Sequence, residues 1–494
     1  MKQLTDLELL KLSKSKRAGY KFKLFFALLP GKFKAFFVKI GRFFKNLALG
    51  IVNWFKFIGL TFVHGDWKTK VSYFIMGFGS IARKQVLRGL LFLAFEVIFI
   101  LYMIYFGGPY LSRLYILGTE GSVMDPATGT VVYGENSFNI LLYGVLTLFF
   151  IAAFIYTWFL NIKQNKINED IIKDQKKIAT AKDDLRALVD ENFHKTLLAL
   201  PTLGILIFTV LPIFFMILVA FTNYDKNHTP PLNLFGWVGF DNFAQLFNWS
   251  NAGGDQFSAT FGQILLWTLV WAFFATFTNY FLGMGVAMLI NKKGIKLKKL
   301  WRTILVFSIA IPQFISILFV SNMFKTDGIV NTLLGTHIDF WGDPWLARIT
   351  VIVINIWIGV PYLMLVVTGI LMNIPADLYE SANIDGASAF QQYSKITLPY
   401  MLFITGPYLL TSFTGNMNNF NVIYLLTGGG PSSSELYKAG RTDLLITWLF
   451  NLAINDSDYK LAAVIGIMVF IVVAGLSLIV YNLIPSTKNE EGFQ

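Results

Sequence analysis

The chain has 494 residues, of which 55% are hydrophobic, 16% aromatic and only 14% charged, with a mean hydropathy of +0.57 and a formal net charge of +12. A water-soluble surface on a chain of this size needs roughly 25% charged residues, so most of the exterior must face lipid. Zero cysteines exclude disulfides, thiol catalysis and cysteine-ligated metal, and His64, His194, His228 and His337 lie too far apart to form a metal motif.

The first region, residues 1–86, is basic and lacks a clean apolar run followed by small residues, so no cleavable signal peptide is expected. In KFKAFFVKIGRFFKNL, Phe33, Phe36, Phe37, Ile40, Phe43, Phe44 and Leu47 recur at helical spacing, while Lys34, Lys39, Arg42 and Lys45 mostly fall elsewhere round the helix. That pattern predicts an amphipathic helix lying in the inner headgroup layer. The following IVNWFKFIGLTFV carries Lys56 and is short for a span, so residues 20–63 are expected to be interfacial.

Eight apolar stretches come next, at about 87–106, 140–160, 197–221, 263–290, 302–324, 349–373, 403–426 and 459–484. Each approaches or exceeds the roughly 20 residues that a helix needs to cross the hydrocarbon core, and none alternates with the period of a barrel strand. The expected fold is therefore all-α: a polytopic bundle of about eight transmembrane helices. Residues 87–196 supply two spans and a charged connector, 197–484 a six-helix core, and 485–494 a tail. The connector 161–196 alternates acids and bases and reads as a solvated helix. Glu96, the one acid well inside a span, is expected to serve packing or to snorkel to the lipid edge.

Positive charge fixes the expected orientation. Residues 1–88 hold about eighteen Lys and Arg, 161–196 about eight and 291–302 about six, whereas the alternate connectors hold one or two each. By the positive-inside rule both termini are cytoplasmic, in agreement with an even number of spans. Counting spans puts the connector 374–400 on the cytoplasmic side as well, although Asp377, Glu380 and Asp385 outnumber its Lys395.

That connector, with YESANIDGASAFQQYSKITLPY at its centre, is the polar interruption of an apolar chain. Pro375 suits a first helical turn, Asp377 and Glu380 lie where the helix dipole favours acids, and Asp385-Gly386 is a turn dipeptide. A second helix should follow, with Ala387, Phe390, Ser394 and Thr397 on one stripe and Pro399 at its end. The product is a rigid elbow between two spans. No phosphate-binding G-x-x-x-x-G-K-[ST] loop and no acid-rich metal cluster accompanies it, so any ATP must be bound by another subunit and no catalytic or metal-ligating residue is expected.

Glu380-Ser381-Ala382, then Gly386, then Ile396-x-Leu398-Pro399 resembles the EAA loop of binding-protein-dependent ABC importer permeases, with Ser381 in place of the first alanine. The resemblance implies a type I importer architecture, in which this loop, Asp385 included, is the coupling helix that docks on a separate ATPase. Trp357-Ile358-Gly359-Val360-Pro361-Tyr362, Asn416-Met417-Asn418-Asn419-Phe420, Leu426-Thr427-Gly428-Gly429-Gly430-Pro431 and Thr442-Asp443-Leu444-Leu445 are similar to segments of the larger maltose-type subunit (MalF-like). The similarity covers about 197–484 and not the first 85 residues. It implies a permease for maltodextrin-like oligosaccharides in the cell membrane. Implied partners are a second permease, two ATPase subunits, a binding protein and the sugar, with lipid around them and neither cofactor nor nucleic acid.

The same resemblance places sugar near mid-membrane, at Trp357, Gly359 and Tyr362 of the sixth span and Asn416 and Asn419 of the seventh, with Gln313 at a further polar position. Aromatic faces suit the apolar face of a pyranose, and amides serve its hydroxyls. Packing aromatics and helix–helix hydrogen bonds are the alternative readings of these side chains. Ile309 and Gly415 depart from aromatic positions of the maltose subunit, which leaves another oligosaccharide, of galacto- or raffinose type, open. The connector 222–262 is too short for the large external domain of that subunit, a feature of importers served by a lipid-anchored binding protein. Two readings from other classes are an ion-driven sugar carrier and a membrane glycosyltransferase.

Overall fold

The computed structural model describes residues 14–124, 129–247, 256–292 and 294–482, with the backbone alone for 14–19, 21–37 and 40; the expected tail 485–494 lies outside the described residues. Eight helices among the described residues are long and apolar enough to cross a membrane, and one bent pair makes a ninth candidate. The chain divides into two compact units, residues 1–111 with 146–205, and residues 112–145 with 206–494.

In the first unit, α1 (Lys14–His64) is one continuous helix of 51 residues. The argument from length against a span therefore fails, because Gly41–His64 offers 24 residues with mean hydropathy 1.4. Two short helices, α2 (Trp67–Val71) and α3 (Phe78–Ala82), then make a compact turn before α4 (Val86–Tyr102). Gly77 is required in that turn: its φ is +81°, and a Cβ there would lie 2.0 Å from the Gly89 carbonyl oxygen.

The turn is held by one stripe of α5 (Ser137–Lys173). Trp158, Asn161, Asn165, Asn168 and Glu169 recur at three- and four-residue steps and so share a face. Trp158 Nε1 donates to the Tyr73 carbonyl at 2.9 Å, Asn161 Nδ2 to the Ser72 carbonyl at 2.8 Å, and the Gly77 N–H donates to Asn161 Oδ1 at 3.0 Å. Asn168 Nδ2 reaches Gln85 Oε1 at 2.7 Å, and Glu169 Oε2 accepts the Asp66 N–H at 3.1 Å. At the centre the buried Arg83 donates to Asp66 Oδ1 at 2.6 Å, Thr69 Oγ1 at 2.8 Å and Asn165 Oδ1 at 2.8 Å.

The expectation of a solvated helix over 161–196 is thus corrected for its first third. Asn161, Asn165, Asn168 and Glu169 are buried, because Asn161 and Glu169 satisfy backbone groups of the turn while Asn165 and Asn168 bond the buried side chains of Arg83 and Gln85. Beyond Lys173 the chain leaves the helix, and 181–189 forms a separate helix whose Asp184 pairs with Arg88. Glu96 has a packing role, accepting the Met76 N–H at 2.8 Å.

The second unit contains the core. α6 (Gln256–Phe273) runs through a π-helical turn, Phe274–Thr278, into α7 (Asn279–Asn291). The expected single span 302–324 is instead two helices, α8 (Lys298–Ala310) and α9 (Gln313–Met323), bent by 91°. Pro312 supplies no N–H and biases Ile311 away from helical angles, and Ile311 is extended at φ −83°, ψ 130°. α10 (Pro344–Leu371) leads to the elbow helix α11 (Ala376–Ile384), and α12 (Leu398–Met417), α13 (Phe420–Thr427) and α14 (Tyr459–Tyr481) follow.

Two apolar clusters stack along these helices. One joins Tyr280, Met284 and Ala287 of α7 with Leu363, Met364 and Val367 of α10 and Met401 and Leu409 of α12. The other joins Trp267 and Trp271 of α6 with Ile317 of α9, Val351 and Ile354 of α10, and Val422, Ile423 and Leu426 of α13.

Candidate functional site

The elbow begins at α11, which ends in a hydrogen-bonded cap built on one glycine. Gly386 takes φ +71°, its N–H donates to the Asn383 carbonyl at 3.1 Å, and the Ala387 N–H reaches back to the Ala382 carbonyl at 2.9 Å. These are the two bonds of a Schellman motif, which uses glycine because a Cβ disfavours the left-handed angle. Ser388 and Gln391 then form a reciprocal capping box that starts the next helical turn. Gln392 Nε2 donates to Asn383 Oδ1 at 2.7 Å, and Tyr379 and Thr397 share a hydroxyl bond of 2.9 Å. The elbow is therefore pinned to both of its arms.

Pro399 does not end the second helix as expected. Residues 389–392 pass through a π-helical turn, Tyr393–Thr397, directly into α12, where Pro399 occupies the first turn and needs no N–H partner. The expected stripe is also divided: Thr397 is buried, Ala387 and Ser394 are half-buried, and Phe390 is exposed. Glu380, Ser381, Asp385 and Gly386 lie on the surface, Ala382, Ile396 and Leu398 are half-buried, and Pro399 is exposed. The sequence reading missed Ile384, whose 87% exposure exceeds that of Phe390 at 75%; two large apolar side chains on one polar tip are the signal.

Along the sequence, each of the six positions assigned to sugar falls where the chain passes from one apolar cluster to the other, the seam. Gln313 lies between Val306 and Ile317, Trp357 to Tyr362 between Ile354 and Leu363, and Asn416 and Asn419 between Leu409 and Val422. Their surroundings differ. Gln313 is exposed at the start of α9. Trp357 and Tyr362 are each 50% exposed, but five residues apart on a helix they point about 140° from one another. Gly359 makes a close approach: a Cβ there would lie 2.3 Å from Asn279 Nδ2.

The asparagines are engaged within the chain. Asn416 Nδ2 donates to Thr276 Oγ1 at 3.0 Å, its carbonyl accepts Trp271 Nε1 at 3.1 Å, and its Oδ1 accepts Asn419 Nδ2 at 3.4 Å. Asn419 Oδ1 caps α13 by accepting the Val422 N–H at 3.2 Å. Asn279 joins the seam unannounced. It is buried, and its Oδ1 accepts no hydrogen bond from the described residues, an arrangement that costs free energy until a donor arrives. A lone amide in the apolar run FATFTNYFLG was the sequence signal for it.

The two remaining motifs clasp each other. The Thr442 N–H donates to the Gly429 carbonyl at 3.0 Å and Thr442 Oγ1 to the Gly430 carbonyl at 2.6 Å. Asp443, buried beneath them, accepts the Gly440 N–H at 2.8 Å and the Thr447 hydroxyl at 2.7 Å. Gly429 takes φ +90°, and a Cβ there would strike the Asp443 carboxylate. An open polar cavity of about 630 Å³ is bordered by this loop, Lys438 and Asp456. Beside it Asp225 pairs with Lys460 at 2.7 Å and His228 at 2.8 Å; burial opposes its charge, yet these bonds and the Asn227 N–H bring it down to about 2.

Burial pushes the Asp443 carboxyl up to about 6 from 3.8, against the bonds from Gly440, Thr447 and Asn451. A raised acid disfavours the ionised fold, so its contribution is best below pH 3.8 and declines as pH rises through about 6, by about 3 kcal/mol in all. Asp443→Asn removes that slope. Its melting temperature relative to the wild type, followed by tryptophan fluorescence, should move in the variant's favour between about pH 4.5 and 7.5. A constant difference would contradict the assignment.

Residues 279–488 match the family model described as the binding-protein-dependent transport system inner membrane component. The maltodextrin transport system permease protein MalC of Streptococcus pneumoniae is 34% identical over 437 residues, covering 84% of this chain and 95% of that one. The galactooligosaccharides transport system permease protein GanP of Bacillus subtilis is also 34% identical, over 423 residues, covering 84% and 97%. In fold, the chain is similar over 62% of its length to a chain of a bacterial alginate ABC transporter solved with an alginate pentasaccharide-bound periplasmic protein, with TM-score 0.50, 22% identity and 98% of that chain covered.

Proposed function

Since the chain belongs to the binding-protein-dependent ABC importer permeases, of the maltose type, we propose that it is one of two permease subunits that carry maltodextrin-like oligosaccharides into the cell. The second permease, two ATPase subunits and a lipid-anchored external binding protein complete the assembly. With the basic residues 20–63 lying in the interface and not crossing it, eight of the nine candidates span, and both termini and the elbow face the cytoplasm. The observation that carries this reading is the elbow: a doubly capped, rigid turn that joins two spans and presents Ile384 and Phe390 uncovered. An apolar tip on a stiff lever is suited to being gripped by a separate ATPase.

Sugar would pass the seam, where the exposed side chains of Gln313, Trp357 and Tyr362 can meet it. Asn416 and Asn419 position this layer through their bonds to Thr276 and α13, and Gly359 lets α10 approach Asn279. A galacto-oligosaccharide cargo is the second reading, supported by GanP matching at the same 34% identity as the maltodextrin relative. Uptake of both sugar classes by the complete complex decides between them.

Gln313→Ala tests the seam most cleanly, because the side chain is exposed at a helix start. Loss of one sugar hydrogen bond should raise the KM for uptake roughly tenfold with unchanged assembly. An unchanged KM in both Gln313→Ala and Tyr362→Ala would remove the seam from the sugar path.

A further inference from the structure

We propose that residues 14–47 are a docking surface for anionic phospholipid headgroups, selective for lipid charge and not merely for an apolar surface. This segment holds ten Lys and Arg and no Asp or Glu. It lies in the uninterrupted helix α1, so one register applies throughout. At about 100° per residue, all ten basic positions from Lys14 to Lys45 fall within one half of the circumference. Phe22, Phe26, Phe33, Phe37 and Phe44 occupy the other half.

A charged face and an aromatic face separated over some 30 residues match the two chemistries of a membrane interface. Anionic headgroups meet the ammonium and guanidinium groups, and the rings enter the acyl boundary beside them. In the described part, Phe43, Phe44 and Leu47 are exposed at 64%, 60% and 50%. A free phosphate or a nucleic acid would use the basic face and leave the aromatic face in water. A lipid surface covers both, and charge complementarity therefore favours it.

The basic residues are themselves trypsin sites, which supplies the test. The full chain is placed in nanodiscs of phosphatidylcholine, or of phosphatidylcholine with about a third phosphatidylglycerol, and cleavage at Arg17, Arg42 and Lys45 is timed. Anionic lipid should slow it roughly tenfold, and raising salt to about 0.5 M should remove most of the difference. The variant K21Q/K23Q/K32Q/K34Q/K39Q keeps all three reporting sites and should lose the lipid dependence. Equal cleavage in both lipids overturns the proposal, as does equal protection in both. Protection of phosphatidylcholine discs by added inorganic phosphate overturns it in favour of a free anion, and protection appearing only on assembly with other subunits overturns it in favour of a protein partner. If the variant does not accumulate, the wild-type lipid and salt comparisons carry the test.

Discussion

Replacing Gly386 by proline should reduce uptake and substrate-stimulated ATP hydrolysis of the assembled importer to background, while the membrane spans still assemble. The native φ of +71° is far from the roughly −65° that a pyrrolidine ring imposes, and the Gly386 N–H that donates to Asn383 would vanish. The return bond from Ala387 to Ala382 depends on the same geometry, so the cap fails as a unit and the lever between α11 and α12 loses its fixed angle. Among the described residues nothing lies within 4 Å of a Cβ at this position, so the damage is conformational and local. That makes Gly386→Asn the informative companion, since asparagine tolerates the left-handed region and should retain most of the transport. Normal coupling in the proline variant, measured as ATP hydrolysis per sugar taken up, would refute the lever.

Arg83→Ala should lower the stability of the first unit by about 3–5 kcal/mol, the usual cost of removing one member of a buried charged pair. Arg83 has no exposed side-chain surface, and its loss leaves Asp66, Thr69 and Asn165 without the donor that joins them. The figure sits at the lower end of that range here, because Asp66 is 36% exposed and water can reach it. Adding Asp66→Asn to the arginine variant should recover part of the loss, because the orphaned charge is then removed. Thermal unfolding in detergent measures both. A melting temperature unchanged by Arg83→Ala would mean that the turn 66–85 is held by its other hydrogen bonds alone.

The parts of the fold that follow from local rules were legible before any coordinates. Apolar length marked the spans, and Asp385-Gly386 marked the elbow, because a turn dipeptide and a capping residue act over a few residues. The breaks inside spans were less legible. Pro312 stands in plain view, yet a proline is also tolerated inside membrane helices, as Pro361 is within α10, and only its neighbours decide which outcome holds.

Burial of polar residues was the main source of error. Asn161, Asn165 and Asn168 look like the surface of a charged helix, and their partners in the turn 66–85 lie more than 80 residues away. Asn416 is the converse case: the resemblance assigned it to sugar, but its bond to Thr276, 140 residues distant, was not readable. A spacing rule reports which residues share a helical face and says nothing of what that face meets.

The sequence by itself determined that this chain crosses a membrane and carries a polar elbow between two spans, since both rest on composition or on short-range spacing; the resemblance of that elbow to the EAA loop supplied its type and the separate ATPase. The tertiary structure decided which polar groups are shared within the chain and which are left to others. Asn416 and Asn419 are hydrogen-bonded within the chain, whereas Gln313, Ile384 and Phe390 are exposed. The physical reason is that a hydrogen bond or an apolar contact is satisfied by distance in space, and the chain's own order along the sequence does not encode that distance.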